Sequence, residues 1–139
     1  MGVDLPLPSA GPPRIVEGKG IVHVSRLAAP VTERAEFLQG TLDLLILRSL
    51  ALRPLHGWGI SKRIRQLSAD VLQVNQGSLY PALYRLEDRG LVRSAWGTSG
   101  EGRRVRLYTL TAAGRKQMTT EQAEWRRFAK AMEQVLEGT

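Results

Sequence analysis

Residues 76–87, QGSLYPALYRLE, determine the architecture of this chain. Three leucines recur in this stretch at spacings of four and three residues: Leu79, Leu83 and Leu86. That spacing places them on one face of an α-helix and predicts a helix over about residues 78–89. Ser78 is predicted to cap its N-terminus, which puts Pro81 in the first turn, where a missing N–H costs nothing. Gly90 is predicted to end the helix as its C′ residue.

A second helix is predicted just upstream, from about Gly57 to Ser68. Its apolar residues follow the same spacing: Ile60, Ile64 and Leu67. The cations Lys62, Arg63 and Arg65 fall on the opposite side of this helix. The connection to the next helix, residues 69–75, contains Val71, Leu72 and Val74, which should fold back onto the core.

Order is predicted to begin near Phe37, and an apolar helix is predicted to start at Leu42 with Thr41 as its N-cap. Between Leu42 and Leu50, only Asp43 and Arg48 are charged and need contact with solvent. A helix that is apolar nearly all round belongs at the centre of a core. The pair Arg53-Pro54 should end it, because the residue before a proline avoids the α region.

Downstream of the third helix the pattern changes to that of strands. Residues 91–96 and 103–110 are predicted to form a β-hairpin, since Val105 and Leu107 alternate with Arg104 and Arg106. Residues 97–102 contain three glycines and are predicted to form a flexible tip.

A long helix is then predicted from the capping residue Thr111 to about Glu137. Apolar residues recur along it with heptad spacing: Met118, Trp125, Phe128, Met132 and Val135. A heptad seam of this length is typical of a helix that packs against a partner helix, so these residues are predicted to mediate dimerisation.

Three helices, a hairpin and a final helix make the chain mainly α with a small β-hairpin. The order predicts a winged helix-turn-helix followed by a C-terminal dimerisation helix. The domains expected are a DNA-binding domain over residues 37–110 and a dimerisation helix over 111–139. Residues 1–36 are expected to form a flexible arm, in which the apolar patch 21–24 has nothing nearby to pair with. A start at Val31 is an alternative, in which residues 1–30 are not translated.

Composition excludes several classes of function. The chain has no cysteine and only two histidines among 139 residues, so neither a thiol nucleophile nor a Cys- or His-rich metal site is expected. It carries no nucleotide-binding, serine-hydrolase or metalloprotease motif, so we expect neither an enzyme nor a cofactor. No apolar stretch is long enough for a signal peptide or a membrane span, and we expect a cytoplasmic, nucleoid-associated protein.

The charge points to an anionic partner. The chain has 20 Lys and Arg against 13 Asp and Glu, a formal net charge of +7. Residues 56–110 hold nine of these bases and four of the acids, so most of the surplus lies in the helix-turn-helix and the hairpin. Such a surplus predicts double-stranded DNA as the partner, although a solvated basic surface is the alternative.

Helix geometry selects the residues that would touch DNA. If the three leucines of residues 78–89 face the core, the start of that helix and its polar side face the groove. Amide and guanidinium groups suit base edges, while hydroxyls and cations suit phosphates. The predicted contact residues are Gln76, Ser78, Tyr80, Tyr84, Arg85, Arg103, Arg104 and Lys62. Packing roles for Tyr80 and Tyr84 remain the alternative, and His56 is predicted to be a turn or helix-cap residue.

Four motifs occur in an order that resembles the PadR family of bacterial transcriptional regulators, over about residues 37–136. They are GTLDLLIL at 40–47, HGWGI at 56–60, QGSLYPALYRLE at 76–87 and YTLTAAGR at 108–115. The resemblance implies a homodimeric winged-helix repressor of the small subclass with a single C-terminal helix. It also implies operator contacts from Gln76, Ser78, Tyr80 and the hairpin arginines.

The sequence leaves alternatives open for ligand and partner. Effectors of the family can bind near the dimerisation helix, so an unknown small molecule is a further possible ligand, with Trp125 and Phe128 as candidate contacts. Trp96 either stacks within the hairpin or lines such a cavity. The competing function is that of a winged helix that binds another protein and no DNA.

Overall fold

The computed structural model describes residues 22–24 and 35–138 of the chain. The described elements are, in chain order, β1 (Val22–Val24), α1 (Ala35–Ser49), β2 (Leu55–His56), α2 (Gly57–Leu67), β3 (Leu72–Val74), α3 (Gln76–Asp88), β4 (Val92–Thr98), β5 (Arg104–Leu110) and α4 (Ala112–Glu137). The flexible arm predicted over residues 1–36 lies outside the described residues, apart from β1 and the first two residues of α1.

Helix α1 begins at Ala35, six residues before the predicted cap. Thr41 therefore lies inside the helix, and its prediction as the N-cap is wrong. The helix ends at Ser49, before Arg53-Pro54 is reached. The Leu50 N–H is shared between the carbonyls of Ile46 and Leu47, both at 3.2 Å, which tightens the last turn.

Helix α2 is capped by His56, as predicted for that residue. The His56 Nδ1 accepts a hydrogen bond of 2.9 Å from the Gly59 N–H. Ile60 and Ile64 are buried, whereas Leu67 is 58 % exposed and does not join the core that the sequence pattern assigned to it. Leu67 is the last residue of α2.

A two-stranded sheet joins β1 to β3, and the sequence did not predict it. Val22 lies opposite Val74 and Val24 lies opposite Leu72 in antiparallel register. The apolar patch at residues 21–24, expected to have no partner, therefore contributes the strand that pairs immediately before α3. The expectation that Val74 folds onto the core is confirmed, since its side chain is buried.

Helix α3 begins two residues earlier than predicted because Asn75, rather than Ser78, is its N-cap. The Asn75 Oδ1 accepts a hydrogen bond of 2.9 Å from the Ser78 N–H. Pro81 consequently lies in the second turn, where its missing N–H leaves the Gly77 carbonyl without its helical donor.

The C-terminus of α3 follows the prediction. Gly90 has a positive φ of 76°, and the hydrogen bonds from the N–H groups of Gly90 and Leu91 to the carbonyls of Glu87 and Leu86 form a Schellman motif.

The hairpin is part of a three-stranded antiparallel sheet in the order β2-β5-β4. We call β4, β5 and the connecting residues 99–103 the wing. The connection is one residue shorter than predicted and is closed by hydrogen bonds, among them Ser99 N–H to the Arg103 carbonyl at 2.8 Å. Gly102 provides the positive φ of 82° that this closed turn requires.

Helix α4 starts at the predicted cap. The Thr111 Oγ1 accepts from the Gly114 N–H at 2.9 Å, and α4 packs against α1. Gly114 lies so close to Leu91, the residue before β4, that a Cβ there would overlap the Leu91 carbonyl oxygen. Met118 is buried in the common core with residues of α1, α2, α3 and the wing. It cannot belong to an exposed dimerisation seam as predicted.

The Asn75 cap sets the first turn of α3, so we expect Asn75→Ala to lower the free energy of unfolding by about 1 kcal/mol. Asn75→Asp keeps the acceptor and should stay close to the wild type. Urea unfolding of the three proteins measures the difference. Equal stability of Asn75→Ala and the wild type would contradict the assignment of the cap.

Candidate nucleic-acid interface

The exposed face of α3 is formed by an amide and two phenols. Gln76 and Tyr80 are exposed in the first turns, and Tyr84, one turn further on, is 76 % exposed. Ser78, predicted to point to solvent, is buried instead. Ser78 lies one turn before the buried Ala82, so its side chain is on the face of α3 that packs on the core. Of the residues predicted on this helix, Gln76, Tyr80 and Tyr84 therefore lie on the exposed face.

Tyr80 is held in place by the start of α2. A Cβ on Gly57 would lie 2.2 Å from the Tyr80 Oη, so the phenol lies directly against the Gly57 backbone. Only glycine at position 57 leaves this space. The HGWGI motif thus has a physical role, because it lets the side chain of Tyr80 rest against α2.

Arg85 does not reach the exposed face. Its Nη2 donates to Asp43 Oδ1 on α1 at 3.0 Å, and the side chains of Arg85 and Asp43 are 36 % and 13 % exposed. Its guanidinium joins α3 to α1, and the contact of Arg85 with DNA stays a prediction. Burial raises the pKa of Asp43, and the Arg85 charge partly offsets that effect.

One face of the wing carries an aromatic ring and two arginines. Trp96 on β4 lies opposite Arg106 on β5, and Thr98 lies opposite Arg104. The guanidinium carbons of Arg104 and Arg106 are 4.7 and 5.4 Å from the centroid of the Trp96 ring. Such cation–π contacts orient the cations while leaving their N–H donors available. Trp96 therefore stacks within the wing, one of the two roles expected for it.

A hydrogen-bond relay connects this face of the wing to α3. The Ser94 hydroxyl donates to Glu87 Oε2 at 2.8 Å and accepts from the Arg106 Nε at 3.0 Å. Arg106 was not among the predicted contact residues. The alternation of residues 104–110 was the signal for it, because period 2 places Arg104 and Arg106 on the same side of the strand. Ser94 and Glu87 gave no such signal.

The two remaining predicted cations lie at the edges of this surface. Arg103 is exposed in the wing connection, where its N–H donates to the Ser99 Oγ at 3.1 Å. Lys62 is exposed on α2, with its Nζ 5.0 Å from the centroid of the Trp58 ring.

The second half of α4 presents an apolar face to solvent. Its exposed residues are Trp125, Phe128, Met132, Val135 and Leu136. The rings of Trp125 and Phe128 meet edge to face at 6.2 Å. Beside them, an apolar groove of about 280 Å³ separates α4 from α1, lined in part by Leu44, Leu45 and Trp125.

The described part of the chain offers neither a metal site nor a membrane span. Within residues 22–24 and 35–138, no three His, Asp or Glu side chains are grouped closely enough to hold a metal ion. None of the helices in these ranges has the length and the apolar character needed to cross a membrane.

The helices α1–α3, the three-stranded sheet and α4 together define a winged-helix protein. The family model of the "Transcriptional regulator PadR-like family" matches residues 46–120, more than half of the chain, and the chain belongs to this family of transcriptional regulators. The predicted resemblance and fold class are thereby confirmed. The assignment to the subclass with a single C-terminal helix stays a prediction.

Individual relatives agree with this assignment. A transcriptional regulator of Mycobacterium tuberculosis is 34 % identical over 68 % of this chain and 85 % of its own length. A PadR family regulator from Clostridium difficile is 32 % identical, with a TM-score of 0.60 over 68 % of this chain and 97 % of its own. A transcriptional regulator from Clostridium thermocellum is 27 % identical, with a TM-score of 0.66 over 74 % of this chain and all of its own.

The raised pKa of Asp43 has a consequence for stability. Above pH 3.8, and up to the raised pKa, the folded protein holds this proton more firmly than the unfolded chain does. The contribution of Asp43 to the free energy of unfolding therefore falls as pH rises through this window. We expect the stability of the wild type relative to Asp43→Asn to fall correspondingly, as measured by urea unfolding at a series of pH values.

Asp88→Asn, at an exposed position of α3, controls for the loss of one carboxylate. If the free energies of unfolding of the wild type and of Asp43→Asn change in parallel across this pH window, burial does not govern the titration of Asp43.

Proposed function

We propose that the protein is a sequence-specific DNA-binding transcriptional repressor that acts as a homodimer on an inverted-repeat operator. The observation that carries this proposal is the continuous surface made by the exposed face of α3 and the arginine face of the wing. The Glu87–Ser94–Arg106 relay fixes these two faces relative to each other. Membership of a family of transcriptional regulators supports the same function.

In this proposal α3 is the recognition helix and enters the major groove with its N-terminal end. Gln76 pairs through its amide with an adenine edge, a geometry that glutamine matches with two hydrogen bonds. The Tyr80 and Tyr84 hydroxyls donate to phosphates or base edges beside it. The exposure of all three side chains supports these roles.

The wing would occupy the adjacent minor groove. Arg104 and Arg106 are already oriented by Trp96, so less side-chain entropy is lost when they contact DNA. Arg103 and Lys62 at the edges of the surface would contact phosphates. Glu101 lies in the same connection as Arg103, and its negative charge requires that the carboxylate point away from the phosphates of the DNA.

The apolar face of α4 supports the homodimer. A helix of 26 residues is about 39 Å long, and α1 accompanies only part of it. Trp125, Phe128, Met132 and Val135 are left exposed on the remainder, and a twofold-related copy would bury them. The domain division proposed is thus a winged-helix unit from residue 37 to 110 and a dimerisation helix beyond it, with Met118 in the core of the former.

A small-molecule effector is the remaining part of the proposal. The apolar groove beside Trp125 borders both the winged-helix unit and the proposed dimer face. A ligand in this groove would change the angle between the two units and thereby release the operator.

The wing arginines give the direct test of DNA binding. We expect Arg104→Ala and Arg106→Ala each to weaken operator binding about tenfold, within the range for removal of a base or phosphate contact. Each should also reduce the slope of log affinity against log salt by about 0.9 for each phosphate that the variant no longer neutralises. Gel-shift titrations at several salt concentrations, with an operator selected from a random-sequence pool, measure both quantities.

Lys116→Ala, at an exposed position near the start of α4, is the matched control for the loss of one positive charge. Equal losses in all three variants would indicate a general charge effect. Absence of any DNA binding by the wild-type dimer at moderate salt would favour the protein-interaction alternative.

The dimer face has its own test. We expect Trp125→Ala to shift the protein towards the monomer and to weaken operator binding, because two recognition helices must be held at one spacing. Size-exclusion chromatography with light scattering gives the oligomeric state, and gel shifts give the affinity. Lys130→Ala, on another side of the same helix, should change neither. A monomeric variant that binds the operator tightly would refute the coupling.

A further inference from the structure

A concave cavity of about 590 Å³ lies between the start of α2, the exposed face of α3 and the wing. We infer that this cavity is the binding site for one phosphate of the DNA backbone in each half-site, with Tyr108 and Arg106 as the groups that hold it. The inference rests on the proposed function and adds to it one specific contact, with the strand that separates the two grooves.

Tyr108 is the observation that points to a ligand. Its side chain is only 8 % exposed, it lines the cavity, and among the described residues its hydroxyl has no hydrogen-bond partner. The ring is buried, whereas the hydroxyl reaches the solvent in the cavity, so it can exchange a water for a ligand acceptor. Burial raises the pKa of Tyr108, and the neighbouring Tyr80 adds to the effect, so the phenol remains a protonated donor.

Arg106 supplies the charge at the same wall. It lies two residues before Tyr108 on β5, so both side chains lie on the same side of that strand. The relay through Ser94 and the Trp96 ring hold its guanidinium. One guanidinium nitrogen is engaged by Ser94, and the others remain available for two hydrogen bonds to an anion.

The rest of the lining is also rich in donors. Tyr80 contributes its hydroxyl beside the Gly57 backbone. The His56 Nδ1 already accepts from Gly59, which leaves the proton of the neutral ring on Nε2. Arg103 at the rim adds a second positive charge, which offsets the single carboxylate of Glu101. Donors and positive charge therefore predominate, as a phosphate requires.

The position of the cavity identifies the phosphate as one of the DNA backbone. Adjacent major and minor grooves are separated by one sugar–phosphate strand. If α3 enters the major groove and the wing enters the next minor groove, that strand must pass between them. The cavity lies between α3 and the wing, so a phosphate of this DNA strand would lie next to the Tyr108 hydroxyl.

The test combines one hydroxyl deletion with neutralisation of single phosphates. Tyr108→Phe and the wild type are titrated with a selected operator in which methylphosphonate replaces one phosphate at a time. We expect one position in each half-site at which neutralisation weakens wild-type binding about tenfold. Tyr108→Phe should weaken binding to the unmodified operator by a similar factor. At that one position, neutralising the phosphate should weaken the binding of Tyr108→Phe much less than it weakens the binding of the wild type.

The other methylphosphonate positions serve as internal controls. There the substitution and the neutralisation act at separate sites, so their factors on the affinity should simply multiply. Thermal unfolding confirms that Tyr108→Phe is folded, and Arg106→Gln provides a second variant with the same expected position. If Tyr108→Phe still binds the operator, and its effect on affinity is independent of phosphate neutralisation at every position, the phosphate site is overturned and the proposed function is left intact. A wild type that binds no DNA would overturn both.

A titration with inorganic phosphate, followed by ³¹P NMR, separates the two sources of this chemistry. Saturable binding of free phosphate that Tyr108→Phe abolishes, without a coupled backbone position, would show that the cavity takes a free anion and would overturn the assignment to DNA.

Discussion

Glu87 and Arg106 share the hydroxyl of Ser94, and the geometry of the surface proposed to bind DNA depends on this contact. A hairpin that extends from a small domain has few apolar contacts with which to fix its direction. Both hydrogen bonds of the Ser94 hydroxyl have a charged partner, and together they favour one orientation of the hairpin. Because Glu87 lies on α3 and Arg106 on β5, the relay links α3 to the wing at this point.

The same surface shows how neighbouring side chains hold positive charges in place. Arg104 and Arg106 lie over Trp96, Lys62 lies near Trp58, and Arg85 is paired with Asp43. The first three cations keep donors available for an anion, whereas the guanidinium of Arg85 joins two helices. Net charge alone does not distinguish these roles, since each arginine counts equally in the surplus of residues 56–110.

Patterns local to one element were predictable from the sequence, and contacts between distant elements were not. The leucine spacing of α3, the alternation of β5 and the Thr111 cap all follow from neighbouring residues. The choice between Asn75 and Ser78 as the cap does not, because both residue types are favoured caps and lie three positions apart. The Arg85–Asp43 pair joins residues 42 positions apart, and the β1–β3 pairing joins residues about 50 apart. Only the folded chain reveals such contacts.

Hydroxyl-radical footprinting of a selected operator tests whether α3 and the wing form one DNA-binding surface that a twofold axis repeats. We expect two protected half-sites about one helical turn, or ~34 Å, apart on one face of the duplex. In each half-site, protection should extend from the major groove across one strand into the adjacent minor groove. Protection confined to a single groove, or a single half-site per bound protein, would be incompatible with such a surface.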